Sequence, residues 1–190
     1  MRGQPAKILL PAELRLLLAF VARGRRPMRN RAIVLLSSRA GLRASEIAAL
    51  DWSMVVTARR AIADLLELPG WAAKRGSGRR LPIHPELRAA LAQLAAAKRM
   101  GPVIVSERGN RMSAKVIVNL FARWYRGCGL DGCSSHSGRR TFITRAARLV
   151  HKAGGSLRDV QQLAGHRSLR TTQGYIEGDA EAQRRLVRLL

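Results

Sequence analysis

Three short patterns in this chain combine arginine, histidine and tyrosine at close spacing. They are Gly41-Leu42-Arg43 with Glu46, His136-Ser137-Gly138-Arg139, and Gly165-His166 followed nine positions later by Tyr175. Guanidinium groups stay charged and bind phosphate oxygens through paired hydrogen bonds. Imidazole groups transfer protons near neutral pH, and a tyrosine hydroxyl can act as a covalent nucleophile. These residue types are suited to reactions at a phosphate ester.

The charge of the chain points to a polyanionic partner. The 190 residues include 35 Lys and Arg against 12 Asp and Glu, which gives a formal net charge of +23. A basic surface gains affinity for nucleic acid by releasing counterions from the phosphate backbone, and an anionic membrane surface is the second candidate. The basic residues are interleaved with apolar ones, which indicates a folded basic face rather than a basic tail.

The cysteines and the hydropathy pattern limit the class of protein. Cys128 and Cys133 are too few for a disulfide scaffold and lack a second pair for a zinc site. No run has the length of a membrane span, and the N-terminus lacks a signal peptide. We therefore expect reduced cysteines, no metal, no membrane association and a cytoplasmic, nucleoid-associated protein.

Periodicity predicts a mainly α fold with a small antiparallel β-sheet, an α+β class. We expect Ser45 to cap the third helix, which runs through Leu50. The predicted strands are 62–68, 71–74 and 79–83, separated by Pro69-Gly70 and Gly76-Ser77-Gly78. The predicted helices cover residues 11–23, 28–40, 45–50, 85–98, 114–126, 138–152, 157–164 and 180–189.

The three patterns, in this order, resemble the tyrosine recombinase or phage integrase family. Each pattern alone is common on protein surfaces, but core packing imposes no such order on polar residues. Lys74, eight residues before Pro82, resembles the hairpin lysine of the family. The resemblance extends from about residue 8 to the C-terminus. It implies a DNA breaking-rejoining catalytic domain over residues 11–190, after a short tail at 1–10. We expect no counterpart of the family's N-terminal core-binding domain, so the sequence is interpreted either as a fragment or as a minimal recombinase whose DNA binding a partner completes.

The resemblance implies a role for each candidate residue. Arg43, Arg139 and His166 are expected to bind the scissile phosphate, and Tyr175 to attack phosphorus and form a 3′-phosphotyrosine. Lys74 is the expected general acid for the leaving 5′-oxygen, and His136 the expected acceptor of the tyrosine proton. Because arginines supply the positive charge, the scheme needs neither metal, cofactor nor ATP.

Three further features are interpreted beside this resemblance. Glu46 either orients Arg43 or forms an ordinary helix salt bridge with it. Gly138 stands where the family commonly has leucine, and we expect looser packing there. Residues 181–190 form a predicted amphipathic helix that either docks on a neighbouring subunit or packs on its own domain.

The resemblance leads to one main functional hypothesis and two alternatives. The main one is a site-specific recombinase that integrates or excises a mobile element. Its partner is double-stranded DNA, on which it forms a homo-oligomer, with an accessory DNA-binding protein as a further partner. The alternatives are a topoisomerase-like nicking and closing activity and a DNA-binding regulator without productive catalysis. Basic residues outside the patterns are expected to contact mostly phosphates, which adds affinity for DNA without selecting a sequence.

Overall fold

The computed structural model describes residues 6–73, 76, 78–95, 100–175 and 187–188. In these ranges eight α-helices surround one two-stranded antiparallel sheet, which confirms the predicted fold class. The helices are α1 (Pro11–Ala22), α2 (Pro27–Arg39), α3 (Ala44–Ala49), α4 (Pro85–Leu94), α5 (Ala114–Gly127), α6 (Ser137–Leu149), α7 (Leu157–Ala164) and α8 (Leu169–Gln173). Short 3-10 turns occupy Trp52–Met54, Gly70–Ala72 and His151–Ala153.

The first helix shows how the local sequence produces these elements. Pro11 occupies the first turn, where its missing N–H costs nothing. The Glu13 carboxylate accepts a hydrogen bond of 2.8 Å from the backbone N–H of Leu10, which would otherwise lack a partner. The inward face is apolar and consists of Leu14, Leu17, Leu18 and Val21. The helix predicted over residues 11–23 is thereby confirmed.

The start of α3 differs from the prediction. Ser45 was expected to cap it, but the helix begins one residue earlier, and Arg43 is the N-cap residue in extended conformation. The Glu46 side chain accepts a hydrogen bond from the backbone N–H of Arg43 at 2.9 Å. The Glu46 carboxylate, in the first turn, therefore accepts from a backbone N–H at the start of the helix. The prediction that Ser45 caps this helix is wrong.

The sheet is a single hairpin of β1 (Leu65–Leu68) and β2 (Arg79–Pro82), with Leu66 opposite Leu81. Leu66, Leu68 and Leu81 face the core. The second predicted strand, at 71–74, is wrong over its described part, because Gly70–Ala72 forms a 3-10 turn. Pro69 interrupts strand pairing before it, since proline has no N–H to donate.

Among the described residues, buried apolar side chains form two clusters. The larger cluster joins α1 to α5 and the hairpin, and its side chains include Leu17, Ile33, Leu35, Ile47, Leu66, Leu81, Leu91 and Phe121. The smaller cluster lies beneath α6 and α7 and consists of Ile143, Val150, Val160 and Ala164, with Phe142, Ala146, Ala147 and Tyr175 packed against it.

Gly138 brings α6 close to α2. A Cβ atom at Gly138 would collide with the Ser37 side chain, so only glycine fits at this crossing. The expectation of looser packing at Gly138 is therefore wrong. The glycine permits a close helix–helix contact directly beside Arg139.

The remaining predictions concern the ends of the chain and the cysteines. The short helix α8 was not predicted, and the helix proposed for residues 180–189 lies outside the described residues except for 187 and 188. Cys128 and Cys133 are free thiols. Within the described ranges, no helix is long and apolar enough to cross a membrane.

Candidate active site

The backbone before Arg43 is shaped by Gly41. Gly41 follows α2 with φ +63°, a conformation that side-chain-bearing residues rarely adopt. A Cβ atom there would also collide with the ring of Phe142 from α6. The glycine thus allows the chain to turn sharply against α6, and it brings Arg43 to the start of α3.

The carboxylate of Glu46 is the centre of a buried ion-pair network. Glu46 has no exposed surface. Its Oε1 accepts from Arg43 Nη1 at 2.8 Å, and its two oxygens accept from Arg79 Nη1 at 3.1 Å and Nη2 at 2.9 Å. Burial alone would raise the pKa of Glu46, but the hydrogen bonds and charges of Arg79 and Arg43 lower it to about 2. Glu46 is therefore ionised and holds Arg43 in place.

Arg79 is a site residue that the sequence reasoning missed. Its side chain is only 5% exposed and lies between Glu46 and Gly165. A Cβ atom at Gly165 would lie 2.9 Å from the Arg79 side chain, so this glycine permits the contact. The alternation along β2 carried the signal: Arg79 and Leu81 are two residues apart and share the inward face.

Arg139 lies in the first turn of α6 and is almost fully buried. Its Nη1 donates to the carbonyl of Gly41 at 2.5 Å, and its Nη2 donates to the carbonyl of Ala164 at 2.7 Å. Nη2 also lies 3.1 Å from His166 Nε2. Burial and the nearby Arg43 guanidinium lower the pKa of Arg139 to about 10, so the group stays charged at neutral pH.

His166 is fixed in one tautomer by its neighbours. It follows Gly165, which ends α7 in left-handed conformation, and its carbonyl accepts from Gln161 Nε2 at 2.9 Å. Because arginine can only donate, Nε2 of His166 accepts from Arg139. The proton then lies on Nδ1, 3.0 Å from Thr172 Oγ1. Burial and the charge of Arg139 lower the pKa of His166 to about 4, so the ring is neutral at neutral pH.

Tyr175 lies just after α8 and faces the same group. Its ring stacks on His166 with centroids 5.4 Å apart and planes at 28°. Thr144 Oγ1 donates to the Tyr175 carbonyl at 3.2 Å, which ties this turn to α6. The tyrosine is close enough to Arg139 to interact with its charge. The structure thus brings Arg43, Arg139, His166 and Tyr175 together from four separate segments.

The other two candidates are placed differently. His136 is the N-cap residue of α6, with an exposed side chain one turn before Arg139. Lys74 lies outside the described residues, so its position relative to the cluster stays a prediction. In the described part of the chain, no group of three or more His, Cys, Asp or Glu could hold a metal ion.

The surroundings of the cluster suit an anionic ligand. An open cavity of about 550 Å³ lies between β2 and α7, and His166 forms part of its wall. Arg79, Arg80, Arg158 and Arg167 also line it. A phosphate at this opening would meet several permanently charged guanidinium groups beside the ring of His166.

Comparison with known proteins matches almost the whole chain to one family. The model of the phage integrase family matches residues 7–182. A tyrosine recombinase XerC of Rhodospirillum centenum is 33% identical over 166 residues, covering 81% of this chain and 44% of the relative. A tyrosine recombinase XerC of Corynebacterium efficiens is 36% identical over 152 residues, covering 77% and 46%. The chain spans about half the length of these curated relatives.

Solved structures share the fold at low sequence identity. The Tn1549 transposon integrase in complex with transposon right end DNA superposes with a TM-score of 0.76 at 20% identity, covering 99% of this chain and 67% of that one. The XerA recombinase gives a TM-score of 0.72 at 22% identity, covering 100% and 65%. At this identity the likeness establishes the architecture of the domain.

Proposed function

This chain belongs to the phage integrase family, the tyrosine recombinases, and on that basis we propose that it cuts and rejoins DNA through a covalent bond between Tyr175 and a 3′-phosphate. One observation carries the proposal. Arg139 contacts the carbonyls of Gly41 and Ala164 and the ring of His166, and that ring stacks on Tyr175. The segments that match the family's motifs therefore meet around one guanidinium group.

In the proposed reaction Arg43 and Arg139 stabilise the charge on the phosphate. A phosphodiester repels nucleophiles, and attack concentrates negative charge on its non-bridging oxygens. Glu46 accepts from Nη1 of the Arg43 guanidinium, so Nη2 and Nε of Arg43 can donate to a ligand. The Arg43 side chain is 20% exposed, which leaves it accessible from solvent.

Tyr175 is the proposed nucleophile. The bond from its hydroxyl oxygen to phosphorus forms while the bond from phosphorus to the 5′-oxygen breaks, which leaves a 3′-phosphotyrosine and a free 5′-hydroxyl. His136 is proposed to accept the phenol proton and Lys74 to protonate the leaving oxygen. Attack by a different 5′-hydroxyl reverses these steps and rejoins the strand, so the bond energy is conserved without ATP.

His166 has a conditional role in this scheme. Its Nε2 accepts from Arg139 in the unliganded arrangement and has no proton to donate. A phosphate beside the ring adds negative charge, which favours the protonated form and raises the pKa of the imidazole. Nε2 is then able to donate to a phosphate oxygen.

The proposed partner is double-stranded DNA, and the proposed outcome is integration or excision of a mobile element. The net charge of +23 supports DNA as the partner. Among neighbours with the same fold, one structure is a lambda integrase dimer bound to a core site, with a TM-score of 0.72 at 17% identity. It supports the proposal that copies of this chain assemble on DNA. An accessory DNA-binding protein is proposed as a further partner.

Covalent capture on DNA tests the proposed function. The chain is incubated with a pool of labelled duplexes that each carry one nick, so that cleavage near the nick releases a short strand and prevents rejoining. We expect a protein–DNA adduct on a denaturing gel, mapping to Tyr175, and no adduct from Tyr175→Phe with unchanged DNA binding.

Two results would contradict this function. Binding without any adduct would favour the DNA-binding regulator, and an adduct that maps to another residue would remove Tyr175 as the nucleophile. If the adduct forms, relaxation of supercoiled DNA without joining of paired sites would favour the topoisomerase-like activity over recombination.

A further inference from the structure

Trp71 is the most exposed aromatic side chain of the protein. The chain has eight aromatic residues, three Trp, two Tyr and three Phe. Trp71 is 75% exposed, whereas the two other tryptophans, Trp52 and Trp124, are 3% and 5% exposed. An exposed indole keeps an apolar π-face and an N–H donor available to a ligand.

The turn that carries Trp71 is built rigidly. The backbone N–H of Ala72 donates to Pro69 O at 3.1 Å, and that of Ala73 donates to Gly70 O at 3.1 Å. Ala72 and Ala73, the two residues after Trp71, are buried and fix the turn to the core. A Cβ atom at Gly78 would lie 2.8 Å from the Gly70 nitrogen, so glycine is required where the two arms of the hairpin meet. The turn therefore presents the indole at low entropic cost to binding.

The turn lies at the active-site end of the hairpin. Leu68, which precedes it, pairs with Arg79, whose guanidinium binds Glu46 in the site. The Gly70–Ala72 turn also packs against α3, whose first residues follow Arg43. The turn that carries Trp71 is therefore connected directly to the elements that hold Arg79 and Arg43.

The chemistry around Trp71 favours nucleic acid over a protein partner. A protein interface would need a contiguous apolar patch. The other exposed hydrophobic side chain of the hairpin strands, Leu65, lies at the far end of β1, opposite Pro82. The side chains around the place where the two arms of the hairpin meet are cationic, because the cavity that Gly78 lines also has Arg80, Arg158 and Arg167 in its wall. An aromatic platform among cations is the usual arrangement for binding unpaired nucleotides.

We propose that Trp71 is a stacking site for a DNA base that becomes unpaired beside the cut. This inference rests on the proposed function. Bases inside an intact duplex are covered on both faces by their neighbours, so an indole gains little there. Exchange of strands requires base pairs next to the cut to open, and a released base then offers a free π-face to the indole. The stacking would hold the opened strand in position for rejoining.

The intrinsic fluorescence of the full chain tests this proposal. Because Trp52 and Trp124 are buried, quenching by acrylamide reports mainly on Trp71. We expect a duplex with a four-nucleotide unpaired bubble to quench the emission and to protect it from acrylamide. The fully paired duplex of the same length should do so much less. Equal quenching by both duplexes would overturn the assignment to an unpaired base.

Affinity measurements on variants complete the test. By fluorescence anisotropy of labelled DNA, Trp71→Ala should bind the bubble duplex about tenfold more weakly and the paired duplex nearly as well as wild type. Trp71→Phe should restore most of the loss, because phenylalanine keeps a π-face. Leu65→Ala, at the exposed opposite end of the hairpin, is the matched control and should bind both duplexes normally.

The failures of the two proposals are distinguishable. If the wild-type chain binds neither duplex at low salt, the proposed function is wrong. If it binds both and Trp71→Ala binds the bubble duplex equally well, only the role of Trp71 is wrong. Protection of Trp71 from acrylamide without DNA, rising with protein concentration, would assign the indole to contacts between copies of the chain and overturn the proposal.

Discussion

The two halves of the candidate site are held by regions of very different construction. Arg43, Glu46 and Arg79 stand on the larger apolar cluster, which joins five helices and the hairpin. His166 and Tyr175 stand on the smaller cluster, whose buried members are Ile143, Val150, Val160 and Ala164. We refer to these as the large region and the small region.

The difference separates the groups that bind phosphate from the group that attacks it. In the large region, Glu46 fixes two guanidinium groups through buried ion pairs. In the small region, Tyr175 is held by stacking on His166, by a hydrogen bond from Thr144 to its carbonyl, and by its own backbone N–H, which donates to Thr172 O at 3.0 Å. Arg139 joins the two regions, since it donates to Gly41 on one side and Ala164 on the other. We infer that the phosphate-binding half is preorganised and that the position of the nucleophile is easier to change.

The largest effect should follow from removing the group that joins the regions. Arg139→Ala should lower the rate of adduct formation by about 10³-fold, because it removes a preorganised charged donor from the developing negative charge. It should also lower the free energy of unfolding by about 1–3 kcal/mol, since two buried carbonyls lose their donor. Adduct rates at saturating DNA and urea unfolding measure the two effects.

Arg148→Ala is the control for this variant. It removes the same charge from an exposed position of the same helix and should change the unfolding free energy by less than about 0.5 kcal/mol. If Arg139→Ala forms adduct at the rate of Arg148→Ala, Arg139 does not bind the reacting phosphate.

Glu46→Gln tests the rigidity of the large region. The change keeps the shape of the side chain but leaves Arg43 and Arg79 beside each other without their buried counter-charge. We expect a loss of about 3 kcal/mol in the free energy of unfolding, the size found when one partner of a buried ion pair is removed.

Glu67→Gln on the same hairpin is the matched control. It breaks an ion pair with Arg80 whose side chains are 59% and 73% exposed. Its cost should stay below about 1 kcal/mol because solvent screens the pair. Equal losses from the two variants would mean that the buried network does not organise the large region.

Much of this arrangement could be predicted from the sequence. Apolar periodicity predicted most of the helices, because an amphipathic helix repeats its buried face every three to four residues. The patterns around Arg43, Arg139, His166 and Tyr175 predicted a common site, and the structure brings these residues together. Their catalytic roles stay predictions. The two regions could not be distinguished, since the size of an apolar cluster depends on contacts between distant segments.

Contacts over long separations account for what was missed. Arg79 binds a carboxylate 33 residues away, a pairing that no local pattern encodes. Gly138 was expected to loosen the packing, but it allows a close contact between two helices. The sequence could not show this, because the facing residue, Ser37, lies about a hundred positions earlier. The segment at Trp71 was predicted as a strand from its apolar residues, but Pro69 and the contact between Gly70 and Gly78 bend it into a turn.

A matched pair of conservative substitutions separates the regions by their effect on catalysis. Ile33 and Ile143 are both fully buried, the first in the large region and the second in the small one. Either change to valine should lower the free energy of unfolding by about 1 kcal/mol. Only Ile143→Val should also lower the rate of adduct formation, by about threefold, because it loosens the support of Tyr175.

The outcome is measured with both variants fully folded, at a temperature well below their unfolding midpoints. Equal adduct rates for the two variants would show that Tyr175 is positioned as firmly as the phosphate-binding groups. That result would remove the functional distinction between the regions.

The smallest expected effect concerns pH. His166 in the small region and Glu46 in the large region should lose their contributions to the free energy of unfolding in different pH ranges. The pKa of His166 in the folded chain is about 4, lowered from 6.5 by burial and by Arg139. Its contribution is present above pH 6.5 and is lost as the pH falls towards 4, since the unfolded chain binds the proton first. The pKa of Glu46 is about 2, lowered from 4.5 by Arg79 and Arg43 against the opposing effect of burial. Its contribution is present above pH 4.5 and is lost only below that pH.

Acid should therefore weaken the small region before the large one. Between pH 6.5 and 5.5 we expect the wild-type chain to lose less than about 1 kcal/mol through His166, because a single proton is taken up and partial solvent access screens it. Urea unfolding across a pH series gives the slope of the unfolding free energy against pH. His166→Gln should reduce this slope between pH 6.5 and 5.5, and Glu46→Gln should reduce it only below pH 4.5. His84, whose pKa is lowered by burial and by Arg39, adds a slope of the same sign, so the comparison depends on the difference between variant and wild type. If His166→Gln keeps the wild-type slope between pH 6.5 and 5.5, the imidazole is not held neutral between Arg139 and Thr172, and the small region is more open than its contacts indicate.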